Sequence, residues 1–138
     1  MNRTLAIIKP DGVQAGLIGE VIKRIEEDGL RIVAMRMDKL DTRRAEGFYY
    51  VHRSKPFFND LITYMTSGPV VLMVLQGYDV INRWRTLMGA TDPKKAAPGT
   101  IRADMGTSIE RNVVHGSDSA DSAVYEINYF FKGTDFVE

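Results

Sequence analysis

No cysteine occurs among the 138 residues of the chain, so disulfide bridges, thiolate zinc sites and cysteine nucleophiles are excluded. The chain has no excess of charge either, because 18 lysines and arginines balance 18 aspartates and glutamates. The net charge therefore predicts no bulk attraction to nucleic acid or to a membrane surface. Long apolar runs are also missing, since the first apolar stretch, residues 5–8, stops at Pro10. Such a stretch is too short for a signal peptide or a membrane span, and we expect a cytoplasmic protein.

The length and composition predict one folded domain, which we take as residues 1–138. A chain of this length fits a single domain and buries enough surface for one hydrophobic core. Apolar residues make up 44% of the chain and charged residues 26%, an ordinary composition for a globular protein. No internal repeat, linker or low-complexity segment interrupts the sequence.

Hydrophobic periodicity predicts an alternation of strands and helices. Short apolar runs predict strands at residues 4–9, 30–40, 69–75 and 112–114. Apolar residues at helical spacing predict five helices, near residues 18–28, 42–50, 56–65, 79–88 and 119–130. The sequence predicts a long irregular loop at residues 89–100, and loops of that length are often functional.

This order of elements predicts a ferredoxin-like βαββαβ fold, an α/β (α+β sandwich) arrangement. Its four-stranded antiparallel sheet is expected to carry the helices on one face. The apolar run at 69–75 is continuous enough for a strand that is covered on both faces. A change of phase at Met35 and Met37 indicates a β-bulge there, and Asp79 is expected to cap the fourth helix.

The two histidines differ in their surroundings. His52 is followed by Arg53, Ser54 and Lys55 and is interpreted as a solvated surface residue. His115 ends a predicted strand beside Gly116, a position at which a neutral imidazole is able to act as a nucleophile. Glu126, about two turns into the next helix, is placed to hold one ring nitrogen and leave the other to attack. The alternative is a histidine that merely ends a strand.

Cations and polar groups suited to phosphate chemistry lie elsewhere in the chain. Phosphoryl transfer needs positive charge beside the non-bridging oxygens, and the candidates are Lys9, Arg85 and Arg102. Each of them is also interpretable as an ordinary solvated residue, although Lys9 closes a buried strand, an unusual place for one. Thr91 and Asn112 are candidate donors to phosphate or sugar oxygens, with turn capping the alternative for Thr91. No P-loop or G-x-G-x-x-G turn is present to cradle phosphates with backbone amides.

Several segments resemble the nucleoside diphosphate kinase family. Residues 112–119, NVVHGSDS, are similar to the active-site signature of that family. Other segments that look like family blocks follow in family order: IKPDGVQ (8–14), KPFF (55–58), TSGPVV (66–71), LMGATDP (87–93) and PGTIR (98–102). The resemblance covers nearly the whole chain, and agreement among independent blocks is far more specific than one histidine.

The resemblance implies a phosphotransferase that moves the γ-phosphate of a nucleoside triphosphate, mainly ATP, onto a nucleoside diphosphate by a ping-pong mechanism. His115 would carry the phosphate, and this activity would maintain the NTP and dNTP pools. Glu126 would orient His115, and Ser117 would support that contact. Tyr49 falls where the family has its active-site tyrosine, although the neighbouring Tyr50 leaves this assignment open.

The resemblance also implies the binding roles. The residues that would hold the phosphates are Lys9, Arg85, Thr91 and Arg102. Lys9 and Asn112 would also contact the sugar, and Phe57 would stack on the base with Leu61 beside it. Mg2+ would sit between the phosphates, with Asp118 reaching it mainly through water. The expected partners are ATP, ADP, GTP, GDP and their deoxy forms, with no membrane and no specific nucleic acid.

Three features bear on assembly and on departures from the family. The killer-of-prune loop of the family corresponds to residues 89–112, with Pro98 at its proline. Asp92 replaces an expected asparagine before Pro93, a turn position where no loss of activity is expected. The chain ends at Glu138 without the longer C-terminal segment of animal members, which looks bacterial. A homo-oligomer is expected, with a tetramer favoured over a hexamer.

Two other functional classes explain the sequence less well. A non-catalytic ferredoxin-like module that binds RNA should carry interleaved aromatic residues on a central strand, and residues 69–75 contain none. A phosphocarrier or phosphohistidine phosphatase would account for His115 but not for the nucleotide contacts. Binding of ADP separates the two phosphohistidine classes, because a pure phosphocarrier should show none.

Overall fold

The computed structural model describes residues 2–137, which form a four-stranded antiparallel sheet with helices packed on it. The strands are β1 (Arg3–Ile8), β2 (Arg31–Asp38), β3 (Val70–Gln76) and β4 (Val114–Gly116). They lie in the order β2-β3-β1-β4, and every pairing is antiparallel. This order is that of the ferredoxin-like fold, so the predicted fold class is confirmed.

Within residues 2–137, seven α-helices connect and cover the strands. They are α1 (Pro10–Gln14), α2 (Ile18–Glu27), α3 (Thr42–Phe48), α4 (Phe58–Met65), α5 (Val80–Met88), α6 (Ile101–Met105) and α7 (Ala120–Phe130). Three short 3-10 helices occur at Tyr50–His52, Pro93–Lys95 and Gly133–Asp135. Five of the α-helices were predicted. The five-residue helices α1 and α6 were not, because so short a segment shows no periodic apolar face.

The helices cover both faces of the sheet, which corrects the prediction that they lie on one face. Along β1, Leu5 and Ile7 belong to one buried cluster, while Ala6 and Ile8 belong to the other. The first cluster includes side chains of α3, α4 and α7, and the second includes side chains of α2, α5 and α6. Central strands covered in this way read as continuous apolar runs. All of β3 is accordingly buried, as predicted.

Some local details differ from the sequence predictions. The irregularity in β2 falls between Ile32 and Ala34, not at Met35 and Met37, whose exposed side chains produced the change of phase. Asp79 precedes α5 with a left-handed φ of 50°, and its side chain makes no capping hydrogen bond to the helix backbone. Its carboxylate instead accepts a hydrogen bond from the Asn82 side chain at 3.0 Å.

The end of the chain that carries the histidine also differs. Strand β4 begins two residues later than predicted, because Val113 adopts a φ of 73° that interrupts an extended backbone. The loop 89–112 is partly regular, since it holds a 3-10 helix and α6. Between residues 2 and 137 no helix is both long and apolar enough to cross a membrane.

Candidate active site

Strand β4 brings His115 next to Glu126 of α7. The His115 Nε2 atom lies 2.9 Å from Oε1 of Glu126, and the Ser117 hydroxyl donates to the same oxygen at 2.8 Å. Ser117 is fully buried, and its hydroxyl accepts a hydrogen bond from the Leu5 amide at 3.3 Å. A carboxylate that accepts from Nε2–H leaves the lone pair on Nδ1. The predicted contact between these three residues is therefore present in the structure.

The backbone of His115 is held as well as its ring. Its carbonyl accepts a hydrogen bond from Nε1 of the buried Trp84 at 3.2 Å, and His115 pairs with Ile7 of β1. The rings of Phe48 and Tyr49 approach the imidazole edge-on, with centroids 5.5 Å and 6.3 Å away. The Glu126 carboxylate and the rings of Phe48 and Tyr49 thus fix the position of the imidazole.

Tyr49, not Tyr50, lies beside the histidine. Tyr49 is 7% exposed, and burial, followed by the charge of Glu126, raises the pKa of its phenol. It therefore stays protonated at neutral pH. Tyr50 is 55% exposed and packs under the Arg53 guanidinium, 3.9 Å from the ring centroid. Of the two tyrosines that the sequence left open, Tyr49 is therefore the one that lies beside His115.

His115 opens onto a pocket with a volume of about 490 Å3. Eight residues singled out from the sequence line it: Tyr49, Phe57, Leu61, Arg85, Thr91, Arg102, His115 and Asp118. Half-exposed Phe57 belongs to this lining. The pocket therefore combines an aromatic residue, cationic side chains and a histidine in one cleft.

Arg102 is a buried cation that hydrogen-bonds only backbone carbonyls among the described residues. Its guanidinium donates to the carbonyls of Asn112, Gly89 and Val114 at 3.3, 3.0 and 2.8 Å. Burial, with a smaller contribution from the nearby charge of Arg85, lowers the pKa of Arg102 to about 10. Since none of the described carboxylates pairs with it, the site favours an incoming anion.

Lys9 and Asn112 are buried and do not belong to the pocket lining. The Lys9 ammonium donates to Oδ1 of Asn112 at 2.8 Å and to the carbonyl of Glu110 at 3.1 Å. The amide of Asn112 donates to the Thr91 carbonyl at 3.0 Å, so the chain of contacts reaches the pocket wall. Burial lowers the pKa of Lys9 to about 8, although the charge of Asp11 opposes that effect.

An ion pair stands at the rim of the pocket. Nη1 of Arg85 and Oδ1 of Asp118 are 2.7 Å apart, and both side chains are largely exposed. The part of the chain that the structure describes contains no group of three or more histidine, aspartate or glutamate residues able to hold a metal ion. A metal at this pocket would thus need most of its ligands from a bound molecule.

His52 is a pocket residue that the sequence analysis missed. It was interpreted as a solvated surface residue, but it is partly buried and lines the pocket. Its Nδ1 atom is buried, and no described residue hydrogen-bonds it. Its ring lies 5.8 Å from that of Phe57. The available signal was its position just before the KPFF segment, because a turn at Lys55–Pro56 folds the two aromatic rings together.

Comparisons with known proteins agree with this geometry. Residues 2–136 match the family model described as nucleoside diphosphate kinase. The chain is 63% identical over 131 residues to a nucleoside diphosphate kinase of Desulfosudis oleivorans, covering 95% of this chain and 94% of that protein. It is 60% identical over 135 residues to nucleoside diphosphate kinase 2 of Protochlamydia amoebophila, covering 98% and 94%.

Solved structures are similar along the whole length. The nucleoside diphosphate kinase of Aquifex aeolicus superposes with a TM-score of 0.97 at 45% identity, covering 99% of both chains. A halophilic nucleoside diphosphate kinase from Halobacterium salinarum, solved in complex with CDP, superposes with a TM-score of 0.96 at 45% identity. That alignment covers 99% of this chain and 91% of the other.

Proposed function

Because the chain belongs to the nucleoside diphosphate kinase family, whose members transfer phosphate through a histidine intermediate, we propose that His115 is that histidine here. The observation that carries the proposal is the contact between His115 and Glu126 at the base of the pocket. This contact engages Nε2 and leaves Nδ1 as the available nucleophile. No described residue hydrogen-bonds Nδ1. His52 has no carboxylate partner among the described residues and does not share this arrangement.

The reaction then runs in two half-reactions. Nδ1 attacks the γ-phosphorus of a nucleoside triphosphate, a P–N bond forms, and the bond to the β-phosphate oxygen breaks as the diphosphate leaves. The proton on Nε2 stays between His115 and Glu126, and the carboxylate stabilises the charge that develops on the ring. A different diphosphate enters the same pocket and takes the phosphate by the reverse steps, which gives ping-pong kinetics.

The cations provide the electrostatic part of the mechanism. Arg102 has guanidinium donors beyond the three that it gives to carbonyls, and it faces the pocket. Arg85 and Thr91 lie on the same wall and would hold the phosphates with it. Lys9 and Asn112, which are linked to Thr91 by hydrogen bonds, would contact the sugar and phosphate oxygens. Positive charge at these oxygens offsets the charge of the transferring group.

Base recognition would rest on stacking at the pocket mouth. Phe57 and Leu61 line the pocket there, and every base presents a face that an aromatic ring is able to stack on. ATP, ADP, GTP, GDP and the deoxy forms are accordingly proposed as substrates. The structure from Halobacterium salinarum was solved with CDP, a pyrimidine nucleotide, which supports a site without strict base selection.

The residues at the rim fit Mg2+ that arrives with the nucleotide. Asp118 offers one exposed carboxylate at the pocket, and Mg2+ takes one or two carboxylates together with substrate phosphates and waters. Bound there, Mg2+ would neutralise phosphate charge. Asp118 would then exchange its contact with Arg85 for one with the hydrated ion, and Arg85 would turn to the phosphates.

A cytoplasmic homo-oligomer, with a tetramer favoured over a hexamer, is also proposed. Strand β2 is at the edge of the sheet, and its Met35 and Met37 are 53% and 57% exposed. An open edge with apolar side chains is suited to pairing with a second copy. Light scattering at working concentration tests this, and a monomer would contradict it.

Labelling with γ-labelled ATP tests the proposed function. Without an acceptor, the protein should retain label that is lost in acid and survives base, the behaviour of a phosphoramidate, and any nucleoside diphosphate should discharge it. His115→Gln should abolish both labelling and turnover while ADP still binds. His52→Gln removes the other pocket histidine and should still acquire label. Near-normal turnover in His115→Gln, or intersecting double-reciprocal lines, would replace the covalent mechanism with direct transfer.

A further inference from the structure

The residue two positions before His115 has a strained backbone. Val113 has a φ of 73°, which a β-branched residue rarely adopts. The Val114 amide donates to the Asn112 carbonyl at 2.8 Å, closing a three-residue turn around Val113. Turns of this kind with a positive φ at the centre are rare and strained. Such strain persists only where the surroundings hold it.

Both polar backbone groups of Val113 are held by the start of α1 and by Lys9, the residue that precedes this helix. The Val113 amide donates to Oδ2 of Asp11 at 3.0 Å, and its carbonyl accepts from the Lys9 amide at 2.8 Å. Gly12 lies against the same residue, since a Cβ at that position would be 3.0 Å from Cγ1 of Val113. Asp11 is therefore the one side chain, among those described, that hydrogen-bonds the strained residue.

The carboxylate of Asp11 is itself fixed by Tyr64 of α4. The Tyr64 hydroxyl donates to Oδ1 of Asp11 and accepts from the Asp11 amide at 3.0 Å. Burial, and then the hydrogen bond to Asp11, raises the pKa of Tyr64, so the phenol remains a donor at neutral pH. The two oxygens of Asp11 thus have separate tasks, one towards Tyr64 and one towards Val113.

The turn connects the groups that the phosphate would meet. Asn112 precedes it, and the Asn112 side chain binds both the Lys9 ammonium and the Thr91 carbonyl. Arg102 donates to the carbonyls on both sides of Val113, those of Asn112 and Val114. His115 follows directly in β4. A change of φ at Val113 would rotate these carbonyls and shift His115 relative to Lys9 and Arg102.

We propose that Asp11 is a positioning residue for phosphoryl transfer. It holds Val113 in its strained turn and so maintains the relative positions of His115, Asn112 and Arg102. This inference rests on the proposed function. Among the described residues, the Asp11 carboxylate hydrogen-bonds Val113 and Tyr64 alone, and neither of them lines the active-site pocket. Asp11 therefore acts through the turn and not on the substrate. Tyr64 contributes by orienting the Asp11 carboxylate.

A double-mutant cycle between Asp11 and Val113 tests the proposal. The quantity measured is the rate of phosphoenzyme formation from γ-labelled ATP in a single turnover, normalised to the folded fraction. Asp11→Ala should lower this rate by about tenfold to a hundredfold, the range that corresponds to the strain of one left-handed residue. Asp11→Asn should lose less, because its amide oxygen is still able to accept from the Val113 amide.

Val113→Gly separates a positioning role of Asp11 from a merely structural one, because a structural role predicts the same effect of Asp11→Ala with and without Val113→Gly. Glycine adopts a positive φ without strain, so Asp11→Ala should cost less than about threefold when introduced into Val113→Gly. An equal loss in both backgrounds would overturn the proposal. Asp28→Ala, which removes an exposed carboxylate that pairs with Arg83 away from the pocket, is the control and should leave the rate unchanged.

Tyr64→Phe keeps the test decisive if Asp11→Ala fails to fold. It removes only the hydroxyl that orients Asp11, and it should slow phosphoenzyme formation several-fold, again with a smaller loss in Val113→Gly. A rate equal to that of the unmodified protein would contradict the proposal. A failure of the proposed function looks different, because the unmodified protein would then acquire no label on His115.

Discussion

A Cβ atom at Gly116 would lie 2.6 Å from Cδ1 of Trp84 and 2.7 Å from Cε of Met88, so glycine is required directly after His115. Trp84 is fully buried and also donates to the His115 carbonyl. The indole therefore packs against the backbone of β4 and hydrogen-bonds it, and any side chain at Gly116 would force the two apart.

Gly116→Ala is expected to destabilise the fold and to reduce activity. Overpacking of this kind costs about 1–3 kcal/mol, and here the displaced strand carries His115. Denaturant unfolding and turnover measure the two effects. Gly133→Ala is the control, because no atom lies within 4 Å of the added Cβ, and it should change neither. A Gly116→Ala variant with normal stability would contradict the packing argument.

The contact between His115 and Glu126 gives a second prediction. Hydrogen bonds to charged groups contribute about 1.5–3 kcal/mol, so Glu126→Ala should slow phosphoenzyme formation by about 10- to 150-fold. Glu126→Gln keeps an oxygen that is able to accept from Nε2 and should recover part of the rate. Rapid-quench labelling measures both. If Glu126→Ala were phosphorylated as fast as the unmodified protein, Glu126 would have no orienting role.

Much of the fold could be predicted because its signals are local. The apolar run of β3 and the helical spacing of α2 and α5 appear directly in the sequence. The faces that the helices cover could not be read this way. The same apolar residues on β1 satisfy a sheet covered on one face or on both, and only the tertiary contacts decide.

The candidate site shows the same division. The contact between His115 and Glu126 was predicted because Glu126 lies about two turns into the helix that follows His115, and the two side chains are within hydrogen-bonding distance. His52 was misinterpreted because its polar neighbours in the sequence suggested solvent, whereas the turn after it folds the ring into the pocket. The positive φ of Val113 could not be predicted, because the groups that hydrogen-bond its backbone, on Lys9 and Asp11, are distant in sequence.

Stacking by Phe57 predicts poor discrimination between bases. Base–aromatic stacking contributes about 1–3 kcal/mol per base, so Phe57→Ala should raise KM for purine and pyrimidine nucleotides alike, with a smaller change in kcat. Steady-state kinetics with ADP, GDP, CDP and dTDP as acceptors measure this. Tyr50→Ala removes an exposed aromatic residue that does not line the pocket and should leave KM unchanged. A loss confined to guanine nucleotides would contradict the stacking model.

The buried ammonium of Lys9 predicts opposite pH dependences of stability and activity. Burial lowers its pKa from 10.5 to about 8, so the folded protein loses this proton at a lower pH than the unfolded chain does. Between these two values the unfolded chain binds more protons, and the contribution of Lys9 to the free energy of unfolding rises with pH. Below about pH 8 both states are protonated, and the burial of the charge is fully unfavourable there.

Activity should fall over the same pH range in which the contribution of Lys9 to the free energy of unfolding rises. If Lys9 must be cationic to hold nucleotide oxygens, kcat/KM falls as the pH rises through about 8, because kcat/KM reports the free enzyme. Bound phosphates favour the charged form, so the corresponding fall in kcat should appear at a higher pH. Lys9→Arg keeps a cation throughout this range and should lack the falling limb, whatever its absolute activity. Thermal unfolding is measured over the same pH range as kcat/KM. If kcat/KM falls only where the protein unfolds, the positive charge of Lys9 has no role in activity. A limb that persists in Lys9→Arg would assign the titration to another group.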